Sequence, residues 1–274
     1  MVDSEATAPR RWLVAVAVAP VMGEPSWRAE QVSQALLGAP LLDRGRGRGW
    51  RRVRMEDGYE GWVVRRHLVA PPAAWQPPVV EVVDLWENLR WRPDFRSAPA
   101  AVVPVGARLP LIVEEDDWCE LLLPDGSAAW IERHRVRPLR AEEPPPTPAA
   151  IVATARRFLG VPYLWGGCSP AGLDCSGLVQ LVFRLNGLLL PRDAAPQSEV
   201  GEAIPPTAAA AGDLVFFGRE ERVTHVGIAL GDGRMIHAAG SDRVRIDRIH
   251  GRRYGARFLG ARRVLAKGGG RADR

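Results

Sequence analysis

Up to about residue 140 the apolar positions come in short alternating runs, such as Arg51-Arg-Val-Arg-Met55 and Cys119-Glu-Leu-Leu-Leu123, interrupted by turn residues. A period of two predicts half-buried strands. Beyond residue 147 the period lengthens. Ile151, Val152, Ala155, Phe158 and Leu159 line one side of a predicted helix that Thr147 can cap, Pro148 can open and Gly160 stops. A second predicted helix begins at Asp174 or Cys175, carries Leu178, Val179, Val182 and Phe183 on its apolar side, and ends at Asn186-Gly187. Asp174 suits its N-cap, which places Cys175 in the first turn. Asp213–Phe217, His225–Leu230 and Arg234–Ala238 then read as strands, the last two joined across Gly231-Asp232-Gly233.

The strand-rich part is a repeat. Adding 68 to a position in the first copy takes Trp50 to Trp118, Asp57-Gly58 to Asp125-Gly126, Trp62 to Trp130 and Leu68 to Val136. Asp-Gly marks a hairpin turn in each copy, so two small all-β barrels are expected. The copies differ where Gly58-Tyr59-Glu60-Gly61-Trp62 faces Gly126-Ser127-Ala128-Ala129-Trp130. A tyrosine that only filled a barrel would have an apolar or aromatic twin, so Tyr59 is expected to act at a surface.

Proline-rich breaks at residues 71–78 and 142–148 separate three pieces, since proline runs favour extended linkers over helix or sheet. The expected domains are residues 1–72, 79–140 and 149–266, with a linker at 141–148. The run from Trp12 to Ala19 behind Arg10-Arg11 has the outline of a secretory leader. Its alternation, the acidic Asp3 and Glu5 upstream and its place at the start of the first copy favour a strand. No other apolar run approaches the ~20 residues of a membrane span.

Composition narrows the classes. At 274 residues with 46% hydrophobic and 25% charged, the chain is globular rather than disordered. The net charge of +5 comes with scattered arginines and no aromatic-basic motif, so no nucleic-acid partner is expected. Cys119, Cys168 and Cys175 are an odd number without disulfide or zinc spacing, which favours reduced thiols and a cytoplasmic location, with secretion as the alternative if residues 10–20 are a leader.

Cys175 is the candidate nucleophile: a helix start lowers a thiol's pKa in part through unpaired N–H groups, and a base must supply the rest. Two of the five histidines, His225 and His237, flank the Gly231-Asp232-Gly233 turn. A three-residue loop pairs Leu230 with Arg234, Ile228 with Ile236 and Gly227 with His237. Val226, Ile228 and Ile236 then share a core face, leaving His225 and His237 together on a face free for chemistry. The roles follow: Cys175 attacks, His225 takes its proton to form an ion pair, and His237 orients His225. Zinc held by Cys175, His225, His237 and Cys168 is the physical rival, though the spacings match no local zinc pattern. No metal or other cofactor is expected.

Gly160-Val-Pro-Tyr-Leu-Trp-Gly-Gly167, Leu173-Asp-Cys-Ser-Gly-Leu178, Pro191-Arg-Asp193, Gly212-Asp-Leu-Val-Phe-Phe217, His225-Val-Gly-Ile228 and Met235-Ile-His237 resemble the NlpC/P60 family of cysteine peptidases in content and order. The resemblance implies an α+β papain-like catalytic domain, preceded here by two small all-β SH3-like barrels. It implies hydrolysis of the γ-D-Glu–L-diamino acid bond of murein peptides, with Cys175, His225 and His237 as a triad. It further implies that Tyr163 stabilises the oxyanion and that Asp174 and Ser176 hold substrate. In the similar γ-D-glutamyl endopeptidases a first-barrel tyrosine and acidic residue bind the free L-Ala amine. Tyr59 matches that tyrosine, whereas Val32 stands at the expected carboxylate position and Glu30 is the nearest acidic candidate. A monomer acting on a murein peptide, with neither nucleic acid nor membrane as partner, is the expected form.

Overall fold

The computed structural model describes residues 10–139, 144–240 and 242–265. Asp3, Glu5, linker residues 141–143 and residue 266 lie outside them. The chain divides after Leu139 into two compact units.

The first unit holds two seven-stranded antiparallel sheets. One contains β1 (Arg11–Val14), β2 (Val18–Met22), β3 (Gln31–Leu36), β4 (Pro40–Gly47), β5 (Trp50–Arg54), β6 (Glu60–Val64) and β7 (Leu68–Val69). The other contains β8 (Val79–Val82), β9 (Trp86–Arg90), β10 (Pro99–Pro104), β11 (Arg108–Glu115), β12 (Trp118–Leu122), β13 (Ala128–Glu132) and β14 (Val136–Pro138). Their strand orders are β3-β2-β6-β5-β4-β1-β7 and β10-β9-β13-β12-β11-β8-β14, so the second is the first with seven added to every number. The repeat read from Trp50 and Trp118 is a repeat of topology. Closure is where the barrel expectation departs from the structure: among the described residues no pairing joins β3 to β7 or β10 to β14. The terminal strand β7 is two residues long and is spent on β1.

The leader-like segment is a structural strand pair. It breaks after Val14, whose N–H donates to Ala39, and resumes at Val18 on a different neighbour. Trp12, Leu13 and Val14 are at most 1% exposed. The Trp12 indole donates to Asp43 Oδ2 at 2.8 Å, and the guanidinium carbons of Arg10 and Arg65 sit 4.2 and 4.4 Å from the centre of its ring. In both copies the Asp-Gly turn closes as expected. Asp57 and Asp125 accept from the N–H two residues on, at 2.9 and 3.0 Å, and Gly58 and Gly126 take positive φ. Gly61 is required by a close approach, because a Cβ there would lie 2.5 Å from Val21 Cγ1. Cys119 is packed into the second copy's core beside Leu121 and Ile131.

The second unit opens with α1 (Pro148–Arg156), where Thr147 Oγ1 accepts from Ala150 N at 3.2 Å. Ile151, Ala155 and Phe158 are buried, but Leu159 is 42% exposed because the helix has already ended at Arg156. The short β15 (Cys168–Ser169) and β16 (Gly172–Leu173) then form a small hairpin leading into α2 (Cys175–Leu185), which α3 (Ala194–Gln197) follows. The remaining strands are β17 (Glu202–Ile204), β18 (Leu214–Arg219), β19 (Arg222–Ala229), β20 (Arg234–Ala238), β21 (Val244–Arg248) and β22 (Phe258–Arg263), in sheet order β17-β22-β18-β19-β20-β21. The one-sided apolar stripe expected of α2 understates its burial. Ser176 through Phe183 are all buried, since α1, α3, β15 and the sheet surround the helix.

Candidate active site

α2 is set by its first turn. Asp174 is the N-cap and its Oδ1 accepts from Gly177 N at 2.7 Å, so Cys175 is the first helical residue. Gly177 is there because the chain approaches closely: a Cβ on it would lie 2.0 Å from the Gly167 carbonyl oxygen, which also accepts from Asp174 N at 3.0 Å. The loop before the cysteine is thus clamped onto the helix start. Backbone N–H groups of Ser176 and Val226 face the Cys175 sulfur and favour its thiolate, yet burial dominates and pushes the thiol up to about 11.

Asp174 has a partner that sequence reasoning did not supply. Arg192, 2% exposed, donates to Asp174 Oδ1 at 3.0 Å and Oδ2 at 2.5 Å, and to Ser176 Oγ at 3.1 Å. Ser176 is buried and turned toward this pair, 3.3 Å from Asp174 Oδ1. The Pro191-Arg-Asp193 motif carried the arginine in plain view, but nothing in the spacing said that it reaches back 18 residues.

The hairpin register is the one the hydrophobic pattern predicts, with Ile228 opposite Ile236 and Leu230 N donating to Arg234 O at 2.8 Å. It brings His225 Nε2 to 2.8 Å from His237 Nδ1. Val226, directly after His225, is the residue whose N–H faces the thiol. The histidine face is not free, however. His237 is 0% exposed, and Val215, Phe217, Met235, Ile249 and Tyr254 form a second apolar cluster on that side. Tyr254 stacks on His225 with ring centres 5.6 Å apart and meets His237 edge-on at 5.0 Å. It arrives from the β21–β22 connection, whose return over the sheet a strand-by-strand reading does not show.

That cover disfavours charge on both rings. Burial, then the neighbouring His237 and Arg253, brings His225 down to about 3; burial brings His237 down to about 4 against the opposing pull of Asp247. Taken one group at a time, burial favours the neutral thiol and the neutral imidazole. His237 spends both ring nitrogens, Nδ1 on His225 and Nε2 on Asp247, and so has none left to offer a zinc ion.

Tyr163 is half-buried on the bridge to Leu173, and burial first, then the neighbouring Cys175 and Asp174, pushes its hydroxyl above the ordinary phenol value. A protonated phenol beside the thiol is a hydrogen-bond donor for developing negative charge. Tyr59 and Glu30 lie in the first unit. Tyr59 is half-buried at the β5–β6 turn, where its N–H donates to Asp57 Oδ1, and Glu30 is exposed directly before β3.

A half-buried thiol in the first turn of a helix, faced by the N–H of the residue that follows one of two bonded imidazoles, fits a cysteine peptidase. The NlpC/P60 family model matches residues 160–263, and the model of the bacterial dipeptidyl-peptidase SH3 domain matches residues 21–68. A γ-D-glutamyl-L-lysine dipeptidyl-peptidase of Bacillus cereus is 33% identical over 250 residues, covering 85% of this chain and 75% of the relative. The Bacillus subtilis protein of the same name is 38% identical over 133 residues, covering 47% of this chain and 44% of that relative. A solved NlpC/P60 family protein from Bacillus cereus superposes with a TM-score of 0.86 at 26% identity, covering 93% of this chain and 99% of that one. The chain belongs to the NlpC/P60 family, with an SH3 domain preceding the catalytic domain. Among the described residues no helix is long and apolar enough to cross a membrane.

Proposed function

We propose that this cysteine peptidase hydrolyses the γ-D-Glu–L-diamino acid bond of murein peptides that carry a free N-terminal L-Ala. The observation that carries the chemistry is the 2.8 Å bond between His225 and His237 one residue from the Val226 N–H that faces the Cys175 sulfur. Cys175 Sγ bonds to the γ-carbonyl carbon of D-Glu as its proton passes to His225. The carbonyl oxygen gains the negative charge and takes a hydrogen bond from Tyr163. The C–N bond then breaks and the His225 proton leaves on the amine of the diamino acid. Water, giving a proton to His225, cleaves the thioester, releases L-Ala-D-Glu and restores the thiol.

Asp174 binds the L-Ala ammonium. Three described donors crowd Asp174 Oδ1, while Oδ2 takes one, from Arg192, which leaves the carboxylate acceptor capacity for a substrate cation. Ser176 acts through Arg192 and Asp174. The two γ-D-glutamyl-L-lysine dipeptidyl-peptidases support this substrate class by their names. The second strand-repeat, sharing the strand order of the first, is a further SH3-like copy. Three free cysteines and a substrate with a free amine fit recycling of released peptides in the cytoplasm by a monomer.

The test is product identification from L-Ala-γ-D-Glu-diaminopimelate beside its N-acetylated form. Release of L-Ala-D-Glu from the free peptide, with the blocked one turned over at least about tenfold more slowly for the loss of its buried charge pairing, is expected. Equal rates on the two peptides overturn the amine reading.

A further inference from the structure

The bonded histidines do not end the chain of polar contacts. His237 Nε2 lies 3.2 Å from Asp247 Oδ2. Arg245 donates to that same oxygen from Nε at 3.0 Å and from its terminal nitrogen at 2.7 Å, while its other terminal nitrogen reaches Asp242 Oδ2 at 3.1 Å. On the sheet Arg245 stands directly across from His237, and Asp247 is the diagonal neighbour, across from Met235. The Asp242 carbonyl also accepts from Tyr163 N at 2.8 Å, so one short strap fastens both Tyr163 and the arginine that holds Asp247.

This order of contacts leaves one self-consistent arrangement of protons. An ionised carboxylate can only accept, so His237 Nε2 must carry a proton. A neutral imidazole has one donor and one acceptor nitrogen, so His237 Nδ1 is an acceptor and His225 Nε2, 2.8 Å away, must donate. The remaining nitrogen of His225, Nδ1, is then unprotonated. The reverse arrangement would set a bare Nε2 against a carboxylate and a bare His225 Nε2 would receive the proton of His237, leaving His225 Nδ1 already protonated and useless as a base.

Resting on the reading of His225 as the general base, we propose that Asp247 is a positioning residue that fixes the tautomers of His237 and His225 and so keeps His225 Nδ1 free to take the Cys175 proton. Asp247 touches neither substrate nor reacting atom. Its oxygen is already paired with Arg245, so its contribution is the direction of the hydrogen bonds more than net charge.

The direct experiment is 15N NMR of the imidazoles at neutral pH in the full chain, with steady-state kinetics on L-Ala-γ-D-Glu-diaminopimelate. Both His225 and His237 should be Nε2–H tautomers in the wild type. Asp247→Leu should mix the tautomers and lower kcat by about 10²-fold, the scale of lost general-base function, with KM within about twofold. Asp247→Asn, which can place its oxygen under the Arg245 donors, should restore most of kcat and the wild-type tautomers. An Nδ1–H tautomer on His225 in the wild type overturns the proposal, and this spectrum decides even if the leucine variant does not fold. Unchanged kcat in Asp247→Leu, or a loss of kcat with tautomers unaltered, overturns it too. Retained turnover in Cys175→Ala would instead sink the underlying peptidase assignment of that cysteine, a separate outcome.

Discussion

Arg192 grips Asp174 with two nitrogens, at 3.0 Å to Oδ1 and 2.5 Å to Oδ2, and the two side chains are 1% and 10% exposed. The residue before the nucleophile therefore has three tasks: it caps α2, it neutralises a buried arginine, and in the proposed reaction it faces the substrate amine.

Those tasks separate by substitution. Asp174→Ala should cost about 3–5 kcal/mol from stranding a buried guanidinium, with ~1 kcal/mol more from the lost cap. Adding Arg192→Met should recover much of the first loss and none of the amine recognition. Urea titration of the single and double variants, read beside KM for the free peptide, checks both halves; additive losses would show that the pair is not coupled.

Gly177→Ala places a methyl 2.0 Å from a backbone oxygen that the clamp on Asp174 also uses. Since backbone must move, the expected cost is about 1–3 kcal/mol, accompanied by a fall in kcat as Cys175 shifts. Thermal unfolding and kinetics on the purified variant give the two readings.

Stability should depend on pH with a definite sign. His225 and His237 have folded pKa values of about 3 and about 4, below the ordinary 6.5, so the unfolded chain binds protons that the folded chain refuses. Their stabilisation is complete above pH ~6.5 and is lost as pH falls toward 4 and below. Cys175, raised to about 11, acts oppositely: the unfolded thiol ionises first, so stability falls as pH rises through about 9 to 11. Melting temperature against pH should show both declines, and His225→Asn should flatten the acidic one.

Tyr254 is the face on which His225 rests. Tyr254→Ala should admit water, raise the His225 pKa toward its ordinary value and lower kcat through misplacement of the base. A 13C- or 15N-detected histidine titration of the variant reads the shift, and an unmoved His225 pKa would contradict the role given to burial.

The sequence carried the local parts of this account. Asp174, Thr147 and the Asp-Gly turns act within three residues of themselves, and the hydrophobic pattern around Ile228 and Ile236 allows one hairpin register, so caps, turns and the histidine pair could be read directly. Three features could not. Arg192 reaches Asp174 across 18 positions, Tyr254 covers the histidines from a connection after β21, and Asp247 acts through a sheet diagonal. Each depends on where separate elements meet, which period and spacing do not encode. The same gap hides the apolar cover over the histidines, which is long-range packing.

In the proposed reaction Cys175 performs nucleophilic catalysis on a γ-D-glutamyl bond. Incubation of wild type and Cys175→Ala with L-Ala-γ-D-Glu-diaminopimelate, followed by mass spectrometry of the products, tests it most directly. Wild type should release L-Ala-D-Glu and free diaminopimelate, and Cys175→Ala should release neither; turnover by the alanine variant at a rate near that of the wild type would contradict it.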